Sequence, residues 1–196
     1  VTHRDFCSSL HIITGHKKKG DTYDIDFKAL VNTKGTLVFL MGVSALEDIC
    51  NSLLQAGMDE KMPAAILQKG TTAGQKRIVA TVSTLAEEVK KQGIETPAII
   101  VVGKVCALAD EFAWYEKLPL FGCKVLVTRP KETISSMAHK LRLLGAEVLE
   151  LPAIRTEPLE DQSLLKEALK ELDSYQWIAF TSPIGVKVFF DEMKQN

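Results

Sequence analysis

The 196-residue chain contains no Cys-x-x-Cys pair and no cluster of cysteine with histidine. Its four cysteines, Cys7, Cys50, Cys106 and Cys123, are widely spaced, which speaks against a disulfide framework or a zinc site and for free thiols in a reducing cytoplasm. Also missing are a Gly-x-Gly-x-x-Gly loop, a nucleophile elbow and a metal-binding helix, so no metal is expected. The longest apolar run, Pro97 to Ala109, is broken by Lys104 and is too short to cross a bilayer. His3, Arg4 and Asp5 stand where a secretory signal would need an apolar core. Neither sign of charge is in excess, the net being −1, which gives no support to wholesale binding of nucleic acid or acidic membrane and leaves room for a local basic site. A cytoplasmic protein with neither membrane nor nucleic acid as partner is the expectation.

What is present is an ordinary globular composition, 46% hydrophobic and 25% charged, over a length that suits one large domain or two modest ones. Runs of strand length cover Ser8 to Thr14, Thr36 to Met41, Pro63 to Leu67, Arg77 to Val82 and Pro97 to Val102. Between them, Asp26 is placed to cap a helix over Phe27 to Asn32. Ser44 and Glu47 have capping-box spacing ahead of Leu46, Ile49, Cys50, Leu53 and Leu54, and Gly93 ends a helix over Thr84 to Gln92. Then "YEKLPLFGCKVLVTRP", residues 115 to 130, passes through Pro and Gly and starts a fresh strand, Lys124 to Thr128. A helix over Thr133 to Leu144, a strand over Glu147 to Leu151, a helix over Ser163 to Leu172, a strand over Trp177 to Thr181 and a helix start at Gly185 to Phe190 follow. The fold class is therefore α/β on both sides of a seam at residues 118–123. The opening at Val1 and the end at Asn196, just after a helix-like run begins, are expected of a piece cut at both ends.

In open α/β sheets, ligands gather at the carboxyl ends of strands. That rule selects Met41-Gly42, Gly70-Thr71-Thr72, Gly103, Thr128-Arg129-Pro130 and Thr181-Ser182. Gly70 is either a place where backbone approaches a flat ligand closely or a plain turn. Met41 is either a core residue or a soft apolar surface for an adenine or methyl-donor ring. Arg77 begins a strand beside the Gly70 turn, where a guanidinium suits a carboxylate. His3, Arg4, His11, His16 and Lys17 to Lys19 form a basic stretch, either anion-holding or solvated, in which His11 alternates with apolar residues and reads as structural. Residue types alone yield two α/β units with anion-tolerant loops.

The order of the blocks "VTHRDFCSSLHIITGH", "GTLVFLMGVSALEDI", "MPAAILQKGTTAGQKRIVAT" and "TPAIIVVGKVCAL...FAWYE" resembles the second half of the uroporphyrinogen-III C-methyltransferases, in the tetrapyrrole methylase family, from Val1 to about Glu116. "KVLVTRPKETISSMAHKLRLLGAEVLELPAI" and "YQWIAFTSPIGVKVFF" are similar to the opening of uroporphyrinogen-III synthase, from Lys124 to about Met193. The resemblance implies a methylase part over 1–117, a linker over 118–123 and a truncated first synthase lobe over 124–196. It also implies S-adenosyl-L-methionine as cofactor, contacted by Met41 and Gly70, and tetrapyrrole substrates, uroporphyrinogen III and hydroxymethylbilane. Arg77 and the Lys17–Lys19 loop would hold substrate carboxylates, and Thr181 and Ser182 would face the cleft between synthase lobes. The Asn-Gly usual after "FTS" is here Pro183-Ile184-Gly185, so no polar role is carried over beyond Ser182. A homodimer through the methylase part is implied. The family's Gly-rich cofactor loop and its catalytic carboxylate would lie upstream of Val1, so no catalytic residue is assigned and the piece alone is expected to be inactive. The rival reading is a non-catalytic binding and dimerisation module.

Overall fold

A computed structural model describes residues 2–16 and 24–194, so the Lys17–Lys19 run lies outside the described residues. The chain clusters into two compact units, Val1–Val125 with Ala138–Leu149, and Leu126–Met137 with Glu150–Asn196.

The first unit is built on a five-stranded sheet: β1 (Leu10–Thr14), β2 (Thr36–Leu40), β3 (Pro63–Gln68), β4 (Lys76–Thr81) and β5 (Ala98–Val102), in the spatial order β1-β2-β5-β3-β4. The apolar runs read as strands are strands because they supply the core. Leu37, Phe39, Ile66, Ile100 and Val102 are fully buried. β1 pairs with β2 in parallel, whereas β5 runs antiparallel to both β2 and β3, and β3 antiparallel to β4. Consequently the carboxyl ends of β1, β2 and β3 share one end of the sheet with the amino ends of β5 and β4. Gly103, grouped by the strand-end rule with Met41 and Gly70, lies at the opposite end, its amide bonding Pro63 O at 2.9 Å. The rule assumes a parallel sheet, and β5 is reversed.

Three helices accompany this sheet. In α1 (Phe27–Asn32) Asp26 Oδ1 accepts the Ala29 amide at 2.8 Å, as an N-cap should. The longer α2 (Leu46–Gln55) buries Leu46, Ile49, Cys50 and Leu53, and α3 (Leu85–Gln92) buries Leu85 and Val89. Gly93 ends α3 with φ 62°, the left-handed cap that glycine adopts at little cost. Ser44 does not cap α2. The Gly42 carbonyl accepts the Ala45 amide at 3.1 Å and winds Val43–Ala45 into a 3₁₀ turn, so the α-helix starts past Ser44 with Ala45 at its N-cap position. His11 Nε2 lies 3.1 Å from Ser9 Oγ.

Where β1 and β2 end, two glycines pass at close quarters. Gly15 is buried, its amide bonds Leu40 O at 2.7 Å, and a Cβ on it would sit 2.7 Å from Gly42 Cα. A Cβ on Gly42 would in turn sit 3.0 Å from Ile49 Cδ1 and from Ile100 Cδ1. This contact lets the chain leave β1 and β2 side by side.

β6 (Lys124–Val127) and β7 (Glu147–Glu150) form a separate two-stranded sheet, with α4 (Lys131–Leu143) between them in sequence. Farther on come α5 (Ser163–Lys170), a 3₁₀ turn over Leu172–Ser174 and α6 (Pro183–Met193). The expected strand over Trp177 to Thr181 has no ladder among the described residues, and Trp177 is 89% exposed. An extended segment becomes a strand only when a neighbour takes its backbone groups. The last helix starts two residues earlier than expected, because Pro183 occupies its first turn, where a missing N–H costs nothing. Ser182 Oγ caps it by accepting the Gly185 amide at 3.1 Å. Phe180 packs against Phe189 and Phe190 of this helix, the three ring centroids being 5.2 to 6.2 Å apart.

Two outcomes follow. Gly15→Ala places a methyl against backbone that cannot step aside and should destabilise the first unit by about 1–3 kcal/mol. Gly74→Ala, whose methyl would meet nothing nearer than 3.5 Å, should change it far less. Equal urea midpoints for the two variants would contradict the glycine contact. Ser182→Ala should accelerate exchange of the Gly185 amide and cost about 1 kcal/mol, while Ser182→Asp retains the cap; unchanged exchange in Ser182→Ala would rule the cap out.

Candidate functional site

β2 ends at Leu40, level with Ile99, and β3 carries Leu67 level with the same Ile99. Met41 and the loop after Gln68 thus leave the sheet on either side of the first residues of β5, two strand spacings, about 10 Å, apart. Met41 is not a core residue: it is 63% exposed and has φ 54°. Left-handed backbone is uncommon for a side chain of this size, and Gly42 follows at once to fold the chain against Ile49.

Between β3 and β4 the loop is tied by its own hydrogen bonds. The Lys69 amide bonds Pro97 O at 3.0 Å, Thr72 Oγ1 donates to Lys69 O at 2.8 Å, and Thr71 Oγ1 donates to Gly70 O at 2.7 Å. Lys69 and Thr71 adopt φ 48° and 59° on either side of Gly70, whose own φ is ordinary. A left-handed turn therefore does not require glycine at 70. A Cβ there would lie 3.1 Å from Leu67 Cδ2, and its absence leaves the backbone open beside a cleft of about 450 Å³. Leu67, Lys69, Gly70 and Thr72 line that cleft from one side, and Pro97, Ala98 and Ile99 from the start of β5 line it from the other. The reversed insertion of β5 is what brings Pro97, Ala98 and Ile99 to this end of the sheet.

Arg77, level with Leu67 in the β3–β4 ladder, stands at this same end of the sheet. Its Nη2 lies 3.0 Å from Asp110 Oδ1 and its Nε 3.2 Å from Glu116 Oε1, while Nη1 is buried without a hydrogen-bond partner among the described residues. The partners differ in exposure, the Asp110 side chain being 97% exposed and that of Glu116 22%. In the second unit Thr181 is exposed and Ser182 caps α6. The hydroxyl of Ser182 accepts in that role, which leaves its proton free to be donated. Arg129 is exposed.

Other chemistry is narrowed as well. Burial pushes the Cys50 thiol up to about 11 and that of Cys106 to about 12, so neither is a nucleophile near neutrality. A hydrogen bond with Thr36, whose Oγ1 is 3.1 Å away, holds the Cys7 thiol below its usual range. Among the described residues no group of three or more His, Cys, Asp or Glu is placed to hold a metal ion, and no helix is long and apolar enough to cross a membrane.

Residues 2–86 match the tetrapyrrole (corrin/porphyrin) methylases, and residues 135–196 match uroporphyrinogen-III synthase HemD. Among curated proteins, the chain is 50% identical over 196 residues to the porphyrin biosynthesis protein HemD of Ruminiclostridium josui, covering 100% of this chain and 39% of that protein. It is 36% identical over 192 residues to the uroporphyrinogen-III C-methyltransferase of Bacillus subtilis (strain 168), covering 97% and 39%. The chain thus spans about 39% of the length of these two relatives. A solved uroporphyrin-III C-methyl transferase from Thermus thermophilus, complexed with S-adenyl homocysteine, aligns at 27% identity and a TM-score of 0.47 over 55% of this chain and 47% of that one. The chain is thus similar to the tetrapyrrole methylases over residues 2–86 and to the uroporphyrinogen-III synthases over residues 135–196.

Proposed function

We propose that the chain is part of a bifunctional enzyme of tetrapyrrole biosynthesis. In it a methylase part methylates uroporphyrinogen III to precorrin-2 with S-adenosyl-L-methionine, and a synthase part cyclises hydroxymethylbilane to uroporphyrinogen III. The observation that carries the reading is the succession of a methylase match and a synthase match in a chain 50% identical along its whole length to a porphyrin biosynthesis protein. The proposed division is a methylase part over 1–117, a join over 118–123 and a synthase part over 124–196. A cytoplasmic homodimer formed through the methylase part, with no membrane or nucleic-acid partner, completes the proposal.

The cofactor's sulfonium supplies an electrophilic methyl group, so the protein's task is alignment. The residues at the sheet end fit such a cofactor. The cleft beside Gly70 has apolar walls from Leu67, Ala98 and Ile99 and open backbone on its rim. Across β5, Met41 offers an exposed, polarizable thioether. We assign Met41 and Gly70 to the cofactor and Arg77 to a substrate carboxylate. Arg77 can take that role by exchanging Asp110, since so exposed an ion pair contributes little. On the synthase side, the exposed Thr181 hydroxyl and the free proton of Ser182 would orient acetate or propionate groups without forming a covalent bond.

Titration of the full-length enzyme with S-adenosylhomocysteine tests the cofactor assignment. Met41→Asp should weaken binding by about 1–3 kcal/mol, because it sets a charge against an apolar ligand face. Aspartate tolerates left-handed backbone better than methionine does, so the variant should fold. Gly70→Val should weaken binding to a similar extent by closing the backbone approach. Wild-type affinity in either folded variant would remove that residue from the site.

A further inference from the structure

The blocks "QKGTTAGQKR" and "FAWYE" lie far apart in sequence, and the functional reading uses only Gly70 and Arg77 from the first and nothing from the second. The structure ties them together. Glu116 Oε1 accepts from Gln75 Nε2 at 3.0 Å and pairs with Arg77 Nε at 3.2 Å. Gln75 Oε1 in turn accepts the Thr71 amide at 2.7 Å. The Gln75 amide group is therefore used at both ends, one toward the loop and one toward Glu116.

Thr71 needs such a tether. A β-branched residue at φ 59° is a genuine outlier, which persists only where surrounding bonds over-determine it. Of the bonds around it, Thr71 Oγ1 to Gly70 O and Thr72 Oγ1 to Lys69 O stay inside the loop. The bond to Gln75, the last loop residue, is continued out of the loop by the bond from Gln75 to Glu116, 41 residues farther along the chain. We infer that Gln75 and Glu116 are positioning residues: Glu116 fixes Gln75, Gln75 holds the Thr71 amide, and the loop thereby presents the Gly70 backbone to the cleft. The consequence for cofactor binding rests on the function proposed above, whereas the mechanical link does not.

Two measurements separate them. Residue-resolved amide exchange of this 196-residue chain without ligand reads the loop, and calorimetric titration of the full-length enzyme with S-adenosylhomocysteine reads the site. Gln75→Ala and Glu116→Leu should speed exchange at Thr71 about tenfold, the factor for one lost hydrogen bond, and leave Ile66 and Ile100 in the core as protected as before. Glu116→Gln keeps an oxygen that accepts from both Gln75 and Arg77, and should restore Thr71 protection. Unchanged Thr71 exchange in Gln75→Ala and Glu116→Leu, with the core intact, overturns the link. Failure of Glu116→Gln to rescue overturns the role of Glu116 as acceptor. In the full-length enzyme, affinity for S-adenosylhomocysteine should fall about tenfold in Gln75→Ala and Glu116→Leu and be restored in Glu116→Gln; undiminished affinity in the first two overturns the positioning role. If the full-length wild-type enzyme binds none, faster exchange at Thr71 still supports the link, and it is the cofactor assignment that loses support.

Discussion

The amino end of β5 is wedged between the carboxyl ends of β2 and β3, held by ladder pairs that put Leu40, Ile99 and Leu67 on one level. The candidate cofactor contacts depend on that wedge. Were β5 parallel to its neighbours, its carboxyl end and Gly103 would occupy the space, and Pro97 and Ala98 would lie at the far end of the sheet. With β5 reversed, the loops after β2 and β3 part around its start, and a cleft opens against Ala98 and Ile99. The core that fixes the wedge comes from the same strands, since Phe39, Ile66 and Ile100 are fully buried. Site and core share their supports.

Backbone strain gathers at this end of the sheet. Met41, Lys69 and Thr71 adopt left-handed backbone there, and Lys34 does so before the amino end of β2, at the other. Each such residue costs roughly 1–2 kcal/mol, which glycine would avoid. Net hydrogen-bond contributions of about 1 kcal/mol each offset that cost around Thr71, where the amide and the hydroxyl are both satisfied. Beside Met41 the Gly15 amide bonds Leu40 O at 2.7 Å, and Gly15 and Gly42 pass at close quarters. Side chains retained under strain point to a use beyond the fold. The two strained loops are those that flank β5.

Much of this was legible in the sequence, and the parts that were not have common physical causes. The strands from Thr36, Pro63 and Pro97 could be read from runs of buried apolar residues, and the Asp26 cap and the Gly93 stop from local chemistry. What escaped depends on partners distant in the chain. Trp177 to Thr181 has strand composition, but composition cannot supply a neighbouring strand. Nothing in "PAIIVV" shows that β5 is inserted antiparallel, so the strand-end rule groups Gly103 with the wrong end of the sheet. Ser44 and Glu47 had capping-box spacing, and yet a 3₁₀ turn begun by Gly42 displaced the helix start. The strand-end rule and the motif resemblance both select Met41 and Gly70; the exposure of one and the open backbone of the other emerge only in three dimensions.

Arg77 shows how one side chain can serve both loop and ligand. Its Nε faces Glu116, half-hidden and shared with Gln75, in a bond that belongs to the loop. Its Nη2 faces Asp110, almost wholly in solvent, where an ion pair gives little net stabilisation and exchanges readily. A guanidinium is planar and carries five N–H donors on three nitrogens, so Nε and Nη2 can each serve a different carboxylate. Replacing Asp110 by a carboxylate of a tetrapyrrole would leave the Nε bond, and with it the loop, undisturbed. Lysine would offer its three donors from one nitrogen, so both carboxylates would have to converge on a single point instead of meeting separate nitrogens. The division of labour between Nε and Nη2 thus reconciles a structural bond to Glu116 with the proposed bond to substrate.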